Sequence, residues 1–228
     1  MKEENIEKEQ KPDTKWFLII TAAIVGCFVL FFVAKHILDI TGHTTLDELH
    51  EMNLEGKHKG ENYIYNGYSF VKVKNNMWST QIKYGDTIFN IILRYGPKDV
   101  EDVFITGKFD QDGFNQGYAY VTFNPDDKNL KYVALAASDI STSIAKVFHV
   151  MPIAACTKNI TEGCIGRPII TCEDDKPTIY LQQSEKEDDA SIIFLNKCII
   201  IKGKDLDLVK AADRFLLGWY KIMPIPRP

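Results

Sequence analysis

A basic surplus is missing from this chain. Its 27 Lys and Arg stand against 31 Asp and Glu, a formal net charge of -4, whereas a protein that neutralises phosphate backbones shows the opposite balance. Nucleic acid is therefore not an expected partner. Histidine is scarce where catalysis would need it: beyond residue 62 the only one is His149, which leaves Ser-His-Asp or Cys-His systems little to work with. Closely spaced cysteines are also missing. No two of Cys156, Cys164, Cys172 and Cys198 are separated by the two to four residues usual in a structural zinc site. The chain has no glycine-rich phosphate loop, dinucleotide fingerprint or zinc-protease motif, and no internal repeat or low-complexity tract. No cofactor and no metal is expected from these patterns.

What is present begins with one apolar run. Residues 16–34, WFLIITAAIVGCFVLFFVA, are nineteen in number and carry no charge; as a helix rising about 1.5 Å per residue they span roughly 28 Å, close to the hydrocarbon thickness of a bilayer. A cleaved secretory signal has a shorter apolar core, on the order of 7 to 15 residues. Ile24-Val25-Gly26-Cys27 imitates a lipoprotein cleavage box, but the apolar run continues from Phe28 to Val33, so Cys27 is expected to be a membrane-buried thiol. Lys2, Lys8, Lys11 and Lys15 precede the run, while only Lys35 lies in the twenty residues after it. That asymmetry places the N-terminus in the cytoplasm and the rest of the chain outside the cell membrane. The expected organisation is a cytoplasmic tail (1–15), a transmembrane helix (16–34), a juxtamembrane stalk (35–62), an extracytoplasmic domain (63–223) and a Pro-rich tail (224–228).

The four cysteines outside the run form an even set in a compartment that permits disulfides, and two bridges are expected. Three connectivities are possible. The preferred one pairs Cys156 with Cys164 around the polar loop TKNITEG, and Cys172 with Cys198 at the ends of two apolar strands. The first loop also holds Asn159-Ile160-Thr161, a glycosylation acceptor sequence in surface-loop context.

In the stalk, Thr45 and Glu48 form a helix-starting capping box and Gly56 a stop. His36, His43, His50 and His58 cluster around this helix; surface histidines of a linker are the expected reading, set against metal binding or pH sensing. From Tyr63 onward the texture is that of strands. Residues 68–74, 77–83 and 87–95 form a meander joined at Asn75-Asn76 and Gly85-Asp86. A polar turn at 109–115, with Asp110, Asp112 and Asn115 lacking the register of a calcium loop, leads to a strand at 118–123. Residues 132–136 are expected to form a buried strand entering a helix capped by Ser138 or Asp139, with Ile140, Ile144, Val147 and Phe148 at helical spacing. Strands at 169–172 and 178–181, a hairpin around Asn196-Lys197 and a widely apolar last helix at 206–222 follow. The fold class is α+β: an N-terminal transmembrane helix, then a mostly antiparallel mixed sheet with two packed helices.

The sharpest catalytic pattern is Ser143-Ile144-Ala145-Lys146, in which a lysine one helical turn from a serine can activate it. The companion motifs of that chemistry are missing, so Ser143 and Lys146 are the candidate pair of a hydrolase alternative. Glu173 to Asp175 and Glu185 to Asp189 read as solvated loop charge, and Trp78, Tyr118 and Tyr120 as core aromatics.

The order of anchor, YNGYSF, WSTQI, LRYGPKDVEDV, ALAASDIS, PIAACTKNITEGC, RPIITCED, NKCIIIKG and AADRFLLGWY resembles uncharacterised single-pass membrane-anchored surface proteins of small-genome archaea over nearly the whole chain. The resemblance implies an envelope location and the four-cysteine plan, and it transfers no activity and no functional residue. The expected function is a membrane-tethered binding or structural module of the cell envelope, held in the lipid bilayer by its helix and meeting a protein or glycan partner. The alternatives are the hydrolase and an accessory subunit of a membrane complex.

Overall fold

The computed structural model of the 228-residue chain describes residues 14–40, 44–57, 60–110, 112–114, 116–187 and 189–226. Residues 1–13 of the expected tail, with Lys2, Lys8 and Lys11, together with His43, His58, Asn115 and Asp188, lie outside them, while Thr14 and Lys15 belong to the first helix. Helix α1 (Thr14–Ile40) is unbroken. Its stretch Leu18–Lys35 is long and apolar enough to cross a membrane, and its side chains, free Cys27 included, are exposed. An exposed helix that is apolar all round suits lipid better than water.

The compact unit is Asp47–Pro228, so the segment read as a stalk includes a packed helix. That helix, α2 (Leu46–Leu54), ends where sequence placed its stop: Gly56 sits at φ +79°, and the amides of Gly56 and Lys57 reach back to the carbonyls of Asn53 and Met52. The left-handed turn needs the missing Cβ. The meander appears as β1 (Tyr63–Tyr65), β2 (Tyr68–Lys72), β3 (Trp78–Tyr84) and β4 (Thr87–Leu93), an antiparallel four-stranded sheet in the order β1-β2-β3-β4. Asn75 and Asn76, both at φ 60°, make the turn between β2 and β3.

The second sheet departs from expectation. It has six strands in the order β5-β9-β10-β8-β6-β7, formed by β5 (Phe104–Thr106), β6 (Tyr118–Phe123), β7 (Met151–Cys156), β8 (Thr178–Gln183), β9 (Ser191–Leu195) and β10 (Cys198–Gly203). Only β9 and β10 pair antiparallel in it, and the other four pairings are parallel. The α+β class and the mixed sheet hold, but the mostly antiparallel description fits the smaller sheet alone. The difference lies at residues 132–136: they are not a strand but part of the first two turns of α3 (Leu130–Phe148), one continuous helix. Val133, Ala136, Ile140, Ser143, Ile144 and Val147 form its buried stripe at spacings of three and four. With α3 whole, β6-α3-β7 is a crossover unit, which joins parallel strands. The expected strand at 169–172 reduces to one bridge between Ile169 and Cys156.

Both helices pack on the large sheet, α3 on β6, β7 and β8, and α4 (Leu206–Trp219) on β8, β9 and β10. On its other side α4 meets the segment after β4: the backbone amides of Arg94 and Tyr95 donate to Asp213 Oδ2 at 2.9 and 2.8 Å. A helix covered from two sides has no solvent face, which explains why eleven of its residues, Asp213 and Arg214 among them, are buried. Phe109 anchors the core, its ring 5.2 Å from Phe194, 5.4 Å from Trp219 and 6.0 Å from Phe215. The polar turn expected at 109–115 thus starts with a core residue. The described end of the chain is tied back through its carbonyls, with Phe109 N donating to Pro226 O at 2.8 Å and Arg214 to Pro224 O at 2.6 Å.

Both disulfides have the preferred pairing, Cys156–Cys164 and Cys172–Cys198. Asn159 is exposed in the loop closed by the first. The second ties the segment after β7 to the start of β10.

Candidate functional site

Strands β6 and β8 are parallel neighbours, and the chain leaves their carboxyl ends in opposite directions. From β6 it runs through α3 to β7 on one side, and from β8 it runs to β9 and β10 on the other. Such a divergence leaves a crevice that no connection fills, and open parallel sheets commonly bind ligands there. In this chain it is a cleft of about 430 Å³ lined by Asp126, Asp127, Lys128 and Asn129 after β6, Gln183, Ser184 and Glu185 at the end of β8, and Lys204 and Asp205 after β10. Helices α3 and α4 both begin at its rim, and neither N-cap, Asn129 or Asp205, bonds its own helix with its side chain. Gly203 permits this approach: a Cβ there would lie within 3.0 Å of the backbone of Asp207 and Leu208.

Gln183 organises the interior. Its backbone amide donates to Asp127 Oδ2 at 3.1 Å and its side-chain Nε2 donates to Asp205 Oδ1 at 3.2 Å, where Asn129 Nδ2 also donates at 2.7 Å. Asn124 Nδ2 donates to the other Asp127 oxygen at 2.9 Å. Burial pushes the Asp127 carboxyl above the usual carboxylate range, the bonds from Gln183 and Asn124 opposing it. Gln183 Oε1 is shielded from solvent and has no hydrogen-bond partner among the described residues, which leaves an acceptor without a donor. The charges at the mouth are largely cancelled: Lys128 pairs with Glu185 at 3.4 Å, Lys158 with Asp126 at 3.1 Å, and Lys204 with Glu187. Screened surface pairs of this kind contribute little to stability. Chemically, the interior is rich in acceptors and suits a ligand that brings hydroxyl or amine donors.

The candidate pair Ser143 and Lys146 lies elsewhere. Both line a small cleft of about 210 Å³ between α3 and β4, together with Asn90, Arg94, Asp139 and Thr142. Ser143 is buried, while the Lys146 amine is turned to Asn90 O, to which it donates at 2.8 Å. Arg94 and Asp139 close the cleft with a 2.8 Å ion pair. Trp78 is core, as expected, and Tyr118 and Tyr120 are half-buried in edge contact at 5.7 Å. Among the described residues no group of three or more His, Cys, Asp or Glu side chains could hold a metal ion.

Of the switch-point cleft, sequence singles out Glu185 alone, and reads it as solvated loop charge. Asp126-Asp127-Lys128-Asn129 and Ser184-Glu185 carry no motif, and only the strand order, which depends on α3 being whole, brings them together. No family model matches this chain, and neither a curated protein nor a solved structure does.

Proposed function

We propose that this protein is a membrane-tethered binding module of the cell envelope, whose domain outside the cytoplasm holds a hydroxyl-rich group of an envelope glycan in the switch-point cleft. The observation that carries this reading is the cleft where β6 and β8 diverge, in which Gln183 bridges the carboxylates of Asp127 and Asp205, an acceptor-rich lining that matches the donors of a polyol. The location is supported by the apolar helix, by the lysines on its N-terminal flank, and by two disulfides, which persist in oxidising compartments.

The test places a photo-reactive residue at Glu185 in a tagged full-length chain in intact cells, with Ile88, 62% exposed on the smaller sheet, as the control position. A glycan adduct at 185 that is absent at 88 and reduced at least tenfold by Asp127→Asn supports the reading. Equal adducts at both positions, or none at either, refutes it.

A further inference from the structure

Helix α2 has two residues fully withdrawn from water, and both are polar: His50 at 0% and Asn53 at 1% exposure. His50 Nδ1 lies 2.9 Å from Ser69 Oγ on β2, and Nε2 lies 3.2 Å from Ser79 Oγ on β3. Asn53 Nδ2 donates to the same Ser69 Oγ at 2.8 Å and to the carbonyl of Tyr63 at 2.9 Å. These contacts suit a neutral ring: with Ser69 Oγ accepting from Asn53, we assign its hydrogen to a bare Nδ1 and the Nε2–H to Ser79. Burial lowers the ring's affinity for a proton, with Asp47 opposing, and so favours the neutral imidazole.

A second proton on this ring does two things. It turns Nδ1 into a donor, so the Ser69 hydroxyl must accept twice and its hydrogen loses its acceptor. It also puts a charge where β2 and β3 offer only uncharged serines. The charge acting on the ring is that of Asp47, on α2 itself, whose carboxylate is shared with Gln81 Nε2 at 2.8 Å. Of the nearby lysines, Lys72 of β2 is turned onto the Trp78 ring, 4.1 Å from its centroid, and Lys83 of β3 is exposed. A helix of nine residues has little stability of its own, so the cheapest way to hydrate the charged ring is to lift α2 away.

We propose that α2 is a proton-released latch: a proton on His50 undocks α2 from the four-stranded sheet, bares the Ser69 and Ser79 face, and frees the chain that follows the membrane helix. Five residues of sequence separate α1 from α2, so release lengthens the tether of the outer domain by nine further residues, up to about 30 Å when extended. Acidification outside the cytoplasm is the signal.

Hydrogen–deuterium exchange of the full chain in lipid nanodiscs, corrected for the intrinsic pH dependence of amide exchange, tests this. Between pH 7 and pH 5, protection of the α2 amides is expected to fall at least tenfold while α3 and α4 keep theirs. Asp47→Asn, which removes the described charge that offsets the proton, is expected to make docked α2 resist protonation to lower pH and to sharpen its release once the ring is charged. His50→Gln is expected to make α2 protection independent of pH, whatever its level. Flat α2 protection in the unmodified chain, or the same fall in the unmodified chain and in His50→Gln, overturns the proposal.

Discussion

Replacing Asp213 with asparagine is expected to remove a large pH dependence from the stability of this domain. Asp213 is wholly buried on α4, and burial pushes its carboxyl from the ordinary 3.8 up to about 8; the amides of Tyr95 and Arg94 and the Arg94 charge pull it back only in part, and the Asp139 charge adds to the rise. Folded, the group keeps its proton to about pH 8, whereas the unfolded chain releases it above 3.8. In that window the unfolded state binds fewer protons, so stability is complete below about pH 4 and is lost as pH climbs toward 8. At about 1.4 kcal/mol per pH unit the loss totals on the order of 6 kcal/mol, and for a domain of this size it lowers the unfolding temperature by about 3–5 °C per unit. Asp213→Asn keeps an oxygen to accept from both amides and cannot ionise. Thermal unfolding followed through buried Trp78 and Trp219 should give a variant whose midpoint matches the unmodified chain near pH 4 and exceeds it by about 10 °C or more at pH 8. Two midpoint curves that run parallel from pH 5 to pH 8 would refute the reasoning.

Phe109→Ala empties the centre of the aromatic cluster with Phe114, Phe194, Phe215 and Trp219, and denaturant unfolding should register a loss of about 3–5 kcal/mol. Joint replacement of Cys172 and Cys198 by alanine opens a loop with a sequence separation of 26, a loss of roughly 3.5 kcal/mol by loop entropy; opening Cys156–Cys164, with a separation of 8, costs roughly 2.5 kcal/mol in the same assay. Gly203→Ala pushes the first turn of α4 off the end of β10; it should cost about 1–3 kcal/mol and abolish the adduct at position 185, and an unchanged adduct would show that the cleft does not depend on that contact.

Sequence carried the local features well and the long-range ones poorly. The apolar helix, the Gly56 stop, the Asn75-Asn76 turn, strand β6 to the residue and the Cys156–Cys164 pairing were legible because each is dictated by neighbours: a charge-free run, a left-handed position, an alternation, a short polar loop between cysteines; Cys172–Cys198, across a separation of 26, was the preferred one of three connectivities. The breadth of burial on α4 was legible too, from its apolar residues on several sides. The failure at 132–136 has a physical cause. Tyr-Val-Ala-Leu-Ala is as apolar as a buried strand, and five residues cannot distinguish a period of 2 from one of 3.6. That error removed the crossover helix, and with it the parallel order that creates the cleft. Strand β7 was hidden by Met151-Pro152, since proline argues against a strand; it is tolerated here because β7 lies at the sheet edge. His50 was assigned to a stalk because nothing in a helix of mixed polarity announces that its histidine, rather than its leucines, faces a sheet.

Everything proposed for the cleft and the latch depends on the domain lying outside the cytoplasm, and thiol accessibility tests that most directly. Intact cells would be treated with a membrane-impermeant reductant and then an impermeant maleimide, with a cytoplasmic thiol protein as the leakage control. The account predicts no labelling of Cys156, Cys164, Cys172 or Cys198 before reduction and labelling of all four after it. Cysteines that react only with a permeant reagent, without prior reduction, would place the domain in the cytoplasm and contradict the account.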